Sequence, residues 1–122
     1  MQNSKHFLII FRSCVDGSLS LKEGLDAAMV AAAFGQLVKI LFEGDGVYHL
    51  LPKQAPEVLG GKAYHKALSA LAMYDVDQLF VCSESLSNRG LALERLSLEP
   101  LKCLNHDQIV QMINASHAVI HY

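Results

Sequence analysis

Residues 6–12 read HFLIIFR. The run Phe7–Leu8–Ile9–Ile10–Phe11 has no polar alternation. Successive side chains of a strand point to opposite faces, so a strand with one wet face alternates apolar and polar residues. An uninterrupted apolar strand predicts cover on both faces, as in a layered α/β domain. Residues 37–42, LVKILF, and 78–82, QLFVC, read as further strands, the latter of the same buried kind.

Helical stretches lie between these strands. Ser20-Leu21-Lys22-Glu23 has the form of a capping box and predicts a helix over Leu21–Phe34 that stops at Gly35. Its stretch Ala27–Phe34 is small on almost every side, which suits close packing on the sheet and on a partner. Glu43-Gly44-Asp45-Gly46 reads as a tight turn, and Val47–Leu51 is a short ambiguous segment ended by Pro52. Pro56, Gly60 and Gly61 mark an irregular region, Ala63–Met73 has helical spacing, and Tyr74–Asp77 turns the chain. Ser83–Asn88 predicts a short helix closed by Gly90, and Leu101–Leu104 a brief strand. Asn105, with Gln108 three residues on, caps a last helix before a strand at Ala118–Tyr122. Strands and helices in alternation predict a mostly parallel sheet between two helical layers. Reactive groups in such sheets collect beyond the C-terminal strand ends.

With 122 residues the chain is expected to form one domain, 1–122. It is 52% hydrophobic and 18% charged, which predicts an ordered globule with an apolar surface suited to subunit contacts. Net charge is -2 with no basic run, so direct nucleic-acid binding is not expected. Three irregularly spaced cysteines do not form a disulfide framework and fit a reducing cytoplasm. The apolar start is too short for a signal core, and no membrane association is expected.

Cys82 ends an apolar strand just before a helix start, where unpaired N–H groups favour a thiolate. Ser83 and Ser85 are placed to donate to its sulfur, and Arg89 to add positive charge if the chain folds back. The competing reading is a buried, inert thiol. Cys14 follows strand 1 at the same edge, which leaves an approach to Cys82 open, but no function is expected of it, and Cys103 reads as core. The histidines are scattered and no Cys-x-x-Cys occurs, so no metal and no cofactor are expected. Asp16 and Asp26 make no persuasive carboxylate pair for glycoside chemistry.

Three segments carry a family resemblance: LKEGLDAA at 21–28, DGVYHLLPKQAPE at 45–57, and YDVDQLFVCSESLSNRGL at 74–91. In this order they resemble the DsrE/DsrF-like family, and within it the TusC (DsrF) branch, over almost the whole chain. The resemblance implies a flavodoxin-like α/β fold. It also implies TusB-like and TusD-like sister subunits in a dimer of heterotrimers, which passes cysteine persulfide sulfur through small carriers toward wobble-uridine thiolation in tRNA. Related assemblies serve sulfur oxidation. The established sulfur-carrying cysteine of the family lies in the TusD-like sister, so the resemblance implies a supportive part in a sulfurtransferase complex. Any chemistry of this chain's own would be persulfide exchange at Cys82. The resemblance also favours Tyr48, His49, Leu50 and Leu51 as subunit-contact residues, with the Ala-rich first helix as a second surface. The readings it competes with are a free-standing flavodoxin-like enzyme or ligand-binding domain and a homo-oligomeric sulfur carrier.

Overall fold

The computed structural model describes residues 5–14, 19–51, 70–96 and 101–122. The strands are β1 His6–Phe11, β2 Leu37–Phe42, β3 Gln78–Cys82, β4 Lys102–Leu104 and β5 Ala118–His121. The helices are α1 Leu19–Ala33, α2 Ser83–Asn88 and α3 His106–Ala115, with 3₁₀ helices at Gly44–Leu50, Leu71–Tyr74 and Leu93–Arg95. The sheet order is β4-β3-β2-β1-β5, and every pairing is parallel. The domain is thus a three-layer, flavodoxin-like α/β fold, although flavodoxin's own strand order is 2-1-3-4-5.

The absence of alternation in β1 has the expected cause. Ile9 and Phe11 pack into one apolar layer with Leu21 and Leu25 of α1. Leu8 and Ile10 pack into the other with Ile109 and Met112 of α3. All four β1 residues are at most 1% exposed. Fully burying a side chain of this size contributes about 1.5–3 kcal/mol, so β1 is the centre of both cores.

Two helices end on glycines at positive φ. At Gly35, φ is +83°, and Gln36 N–H donates to Ala31 O at 3.1 Å while Gly35 N–H donates to Ala32 O at 3.0 Å. Gly90 repeats the motif at φ +66°, with Leu91 N–H to Leu86 O at 2.9 Å. These are Schellman ends, which satisfy carbonyls left over by the last turn.

The start of α1 corrects the capping reading. Leu19 and Ser20 are already helical, whereas an N-cap residue must have non-helical backbone. Ser20 therefore lies inside the helix. The turn at Glu43–Gly46 also differs, because a 3₁₀ helix continues from Gly44 through Leu50 and takes in most of the ambiguous segment. Val47 and Leu50 are fully buried, and that burial holds the extra turns in place. The irregular region at Pro52–Gly61 and most of the Ala63–Met73 helix lie outside the described residues. The described end of the latter, Leu71–Met73, lies in a 3₁₀ helix that runs on to Tyr74.

At α3 the capping box forms as read. Asn105 Oδ1 accepts from Gln108 N–H, and Gln108 Oε1 accepts from Asn105 N–H, both at 2.9 Å. Asn105→Ala removes one half of this exchange. It is expected to lower stability by about 1 kcal/mol in urea denaturation, with the slope unchanged. Among the described residues, no helix is long and apolar enough to cross a membrane.

Candidate functional site

Parallel pairing brings the C-terminal ends of β1 to β4 to one edge of the sheet. The residues that follow each strand meet there. Ser13 and Cys14 come from the end of β1, the Gly44–Leu50 3₁₀ helix from β2, and α2 from β3.

Cys82 lies at the last position of β3, with extended backbone at φ -77° and ψ 121°. Period-two alternation decides where its side chain goes. Leu79 and Val81 face the α1 layer, so Phe80 and Cys82 face the α3 layer with Leu8, Ile10, Leu41, Ile109 and Met112. Cys82 is 8% exposed.

Two of the polar groups expected around Cys82, Ser85 and Arg89, are engaged elsewhere. Ser85 Oγ accepts the Gly44 N–H at 2.8 Å, and so ties α2 to the 3₁₀ helix. Arg89 folds back, but onto Asp45 (Nη2 to Oδ1, 2.8 Å) and the Ser85 carbonyl (3.2 Å). Its guanidinium carbon also lies 5.9 Å from the centre of the Tyr48 ring. A carboxylate and an aromatic face attract the guanidinium more strongly than a buried thiol does. Arg89→Ala is expected to cost about 1–2 kcal/mol, and Asp45→Ala about half of that, since an exposed ion pair alone is worth little. Thermal melts at low and high salt check this, and only the Asp45 share is expected to shrink with salt.

Cys14 does not stand alone at its edge position. Its Sγ lies 3.6 Å from His49 Nδ1. His49 is 3% exposed. Its Nε2 is 2.9 Å from the Ser13 carbonyl. A carbonyl only accepts, so Nε2 carries a hydrogen, and in the neutral ring Nδ1 is left to accept the thiol proton. The Phe11 ring packs edge-on at 6.0 Å and holds the imidazole plane. Reading the sequence did not join these two residues. They are 35 positions apart, and only the adjacency of β1 and β2 brings the following segments together.

Cys103 is exposed, not core. It lies on β4, which among the described residues is an edge strand paired with β3. Partial burial of its sulfur, with a further contribution from nearby Cys82, raises its thiol pKa above the ordinary value. Of the four contact candidates, Tyr48 is 41% exposed and Leu51 half-buried, while His49 and Leu50 point inward. Val30 on α1 and Phe34 just past its end stand four residues apart and are 57% and 78% exposed. His117 and His121 are four apart, a spacing that joins ligands on a helix. Here the segment is extended, and four residues span about 13 Å. Among the described residues, no group of three or more His, Cys, Asp or Glu is placed to hold a metal.

Solved structures share the fold. The ychN protein from E. coli superposes with a TM-score of 0.76 at 18% identity, over 98% of this chain and 99% of that one. A protein of unknown function from Methanobacterium thermoautotrophicum gives 0.67 at 19% identity, over 98% and 100%. Sequence relatives are nearer. A Vibrio parahaemolyticus protein named TusC homolog is 43% identical over 100 residues, 76% of this chain and 85% of its own. A Klebsiella pneumoniae protein named TusC is 30% identical over 118 residues, 97% and 99% of the two chains. The family model for DsrE/DsrF-like proteins matches residues 5–122. That match runs from the first described residue to the last, and by it the chain belongs to the DsrE/DsrF-like family.

Proposed function

We propose that this chain is a supportive subunit of a cytoplasmic sulfur-relay complex that serves 2-thiolation of the tRNA wobble uridine. The observation that carries this reading is the end-to-end likeness to proteins named TusC, which covers 97% of the chain in one relative. That likeness supports a role in persulfide transfer and a place beside TusB-like and TusD-like sisters, two heterotrimers forming the whole. Small sulfur-carrier proteins and the tRNA-modifying enzyme act downstream of it. The apolar side chains left in water at the end of α1, Val30 and the following Phe34, and the exposed Tyr48 ring are surface of the kind that subunits cover. Burial of Cys82 in the α3 layer supports the supportive role, since sulfur exchange needs a reachable thiolate.

The test is genetic replacement followed by nucleoside mass spectrometry of tRNA. Deleting the chain is expected to abolish wobble 2-thiouridine, and Cys82→Ser is expected to restore it as fully as the wild type. Unchanged thiolation in the deletion sinks the tRNA assignment. Thiolation that Cys82→Ser fails to restore sinks the supportive role and makes Cys82 a carrier.

A further inference from the structure

We infer that Cys14 and His49 form a second thiol site, in which His49 takes the thiol proton and Cys14 accepts sulfane sulfur from a donor persulfide. The donor class rests on the sulfur-relay reading above, whereas the nucleophile rests on geometry alone.

Three features make the pair more than a neighbouring contact. The base is within hydrogen-bond reach of the thiol, 3.6 Å from Sγ to Nδ1. A third group orients the base, because the Ser13 carbonyl holds Nε2 at 2.9 Å and so presents Nδ1 to the sulfur. The same carbonyl stays satisfied when the ring is doubly protonated, since Nε2–H donates to it in both states. Proton transfer therefore leaves the hydrogen bonds intact and turns the contact into a thiolate–imidazolium pair.

Position supplies the access. The sheet winds from β1 through β2 and β3 to β4, then crosses back to β5 on the other side of β1. The winding thus reverses between β1 and β5, and in such sheets ligands bind beyond the strand ends at the reversal. Cys14 follows β1 at this point and is half-buried, unlike Cys82. Among the described residues, the charged groups of the surrounding elements are otherwise engaged or turned to water. Arg12 pairs with Glu43 at 3.0 Å, Asp45 with Arg89 at 2.8 Å, and Lys22, Glu23 and Asp26 of α1 are exposed.

The step balances without an oxidant. The Cys14 proton moves to His49 Nδ1, and the thiolate attacks the outer sulfur of R–S–SH. The new S–S bond forms on Cys14 as the donor's S–S bond breaks, and the donor leaves with the electron pair as a thiolate. His49 returns the proton to that thiolate. Cys14–SH and R–SSH become Cys14–SSH and R–SH.

The experiment uses the chain with whatever co-purifies from its own cells, and reads each cysteine peptide by mass spectrometry. Alkylation by iodoacetamide across pH comes first. Cys14 is expected to reach its half-maximal rate at lower pH than free glutathione in the same tube. In His49→Gln its rate near about pH 6 is expected to fall about tenfold and to converge with wild type at high pH. A Cys14 profile that coincides with glutathione's, or lies at higher pH, overturns the nucleophile without recourse to a variant that must fold. Glutathione persulfide is then added. The Cys14 peptide is expected to gain about 32 Da, reducible by dithiothreitol and missing in Cys14→Ser. An adduct on Cys82 or on a partner but never on Cys14 overturns this inference and leaves the proposed function standing. A Cys14 with the expected pH profile, in a preparation where no chain gains sulfur, overturns the sulfur-relay reading and with it the donor named here.

Discussion

Gly46→Ala is expected to destabilise the fold by about 3 kcal/mol, a large share of the stability of a domain this size. The backbone of Gly46 has no need of positive φ, since φ is positive only at Asp75, Gly35, Gly44 and Gly90 among the described residues. What excludes a side chain is space. A Cβ on residue 46 would overlap the carbonyl of Phe11, and would lie 3.1 Å from the Arg12 nitrogen. That carbonyl cannot give way, because it accepts Glu43 N–H at 3.0 Å and β1 is held between β2 and β5. Guanidinium denaturation is expected to show a lower midpoint with an unchanged slope. A change within about 0.5 kcal/mol would show that the 3₁₀ helix moves freely over the end of β1. The close approach also links fold to site, because the same turns carry His49 toward Cys14.

The second large effect is expected at Phe11. Its ring stacks on Phe42 at 5.3 Å and 20°, and meets Tyr122 at 6.0 Å. On its remaining side, helix α1 comes so close that a Cβ on Gly24 would overlap the ring. Phe11→Ala is expected to cost about 3–5 kcal/mol through lost burial and a cavity that the surrounding sheet cannot close. Gly24→Ala alone is also destabilising, since a ring wedged by three others has no free rotamer to adopt. Together the two changes are expected to cost less than their sum, by about 1–2 kcal/mol, because the methyl enters the space that the ring vacates. A double-mutant cycle by chemical denaturation reads the difference. Strict additivity would mean that α1 does not sit on Phe11.

These contacts show which parts of the fold a sequence makes legible. β2 and β3 are found to the residue, because each is a mostly apolar stretch bounded by polar residues, Gln36 and Glu43 around one and Asp77 and Ser83 around the other. The Schellman ends at Gly35 and Gly90 are equally plain, since few residues other than glycine take those angles. The start of α1 is missed because a serine with a glutamate three residues on occurs inside helices as well as at their ends. The 3₁₀ helix at 44–50 is missed because its local residues signal a turn, and only the approach of Gly46 to Phe11 and the burial of Val47 and Leu50 extend it. Cys103 shows the opposite error, an apolar neighbourhood read as core on a strand that the topology leaves at the edge.

The site divides along the same line. That Cys82 ends a strand before a helix is a local fact and is legible. That its side chain faces α3 follows from strand phase once both layers are known. The meeting of Cys14 and His49 has no local signal at all, because neither residue forms a spacing motif with the other. It becomes visible only when β1 and β2 are paired in parallel and their following segments share one edge.

The most direct measurement is native mass spectrometry of the tagged chain drawn from its own cells, before and after exposure to a persulfide donor. An assembly of this chain with two different sister chains is expected, carrying a reducible gain of about 32 Da on at least one of them. A lone chain that gains no sulfur and brings no partner would contradict the sulfur-relay reading.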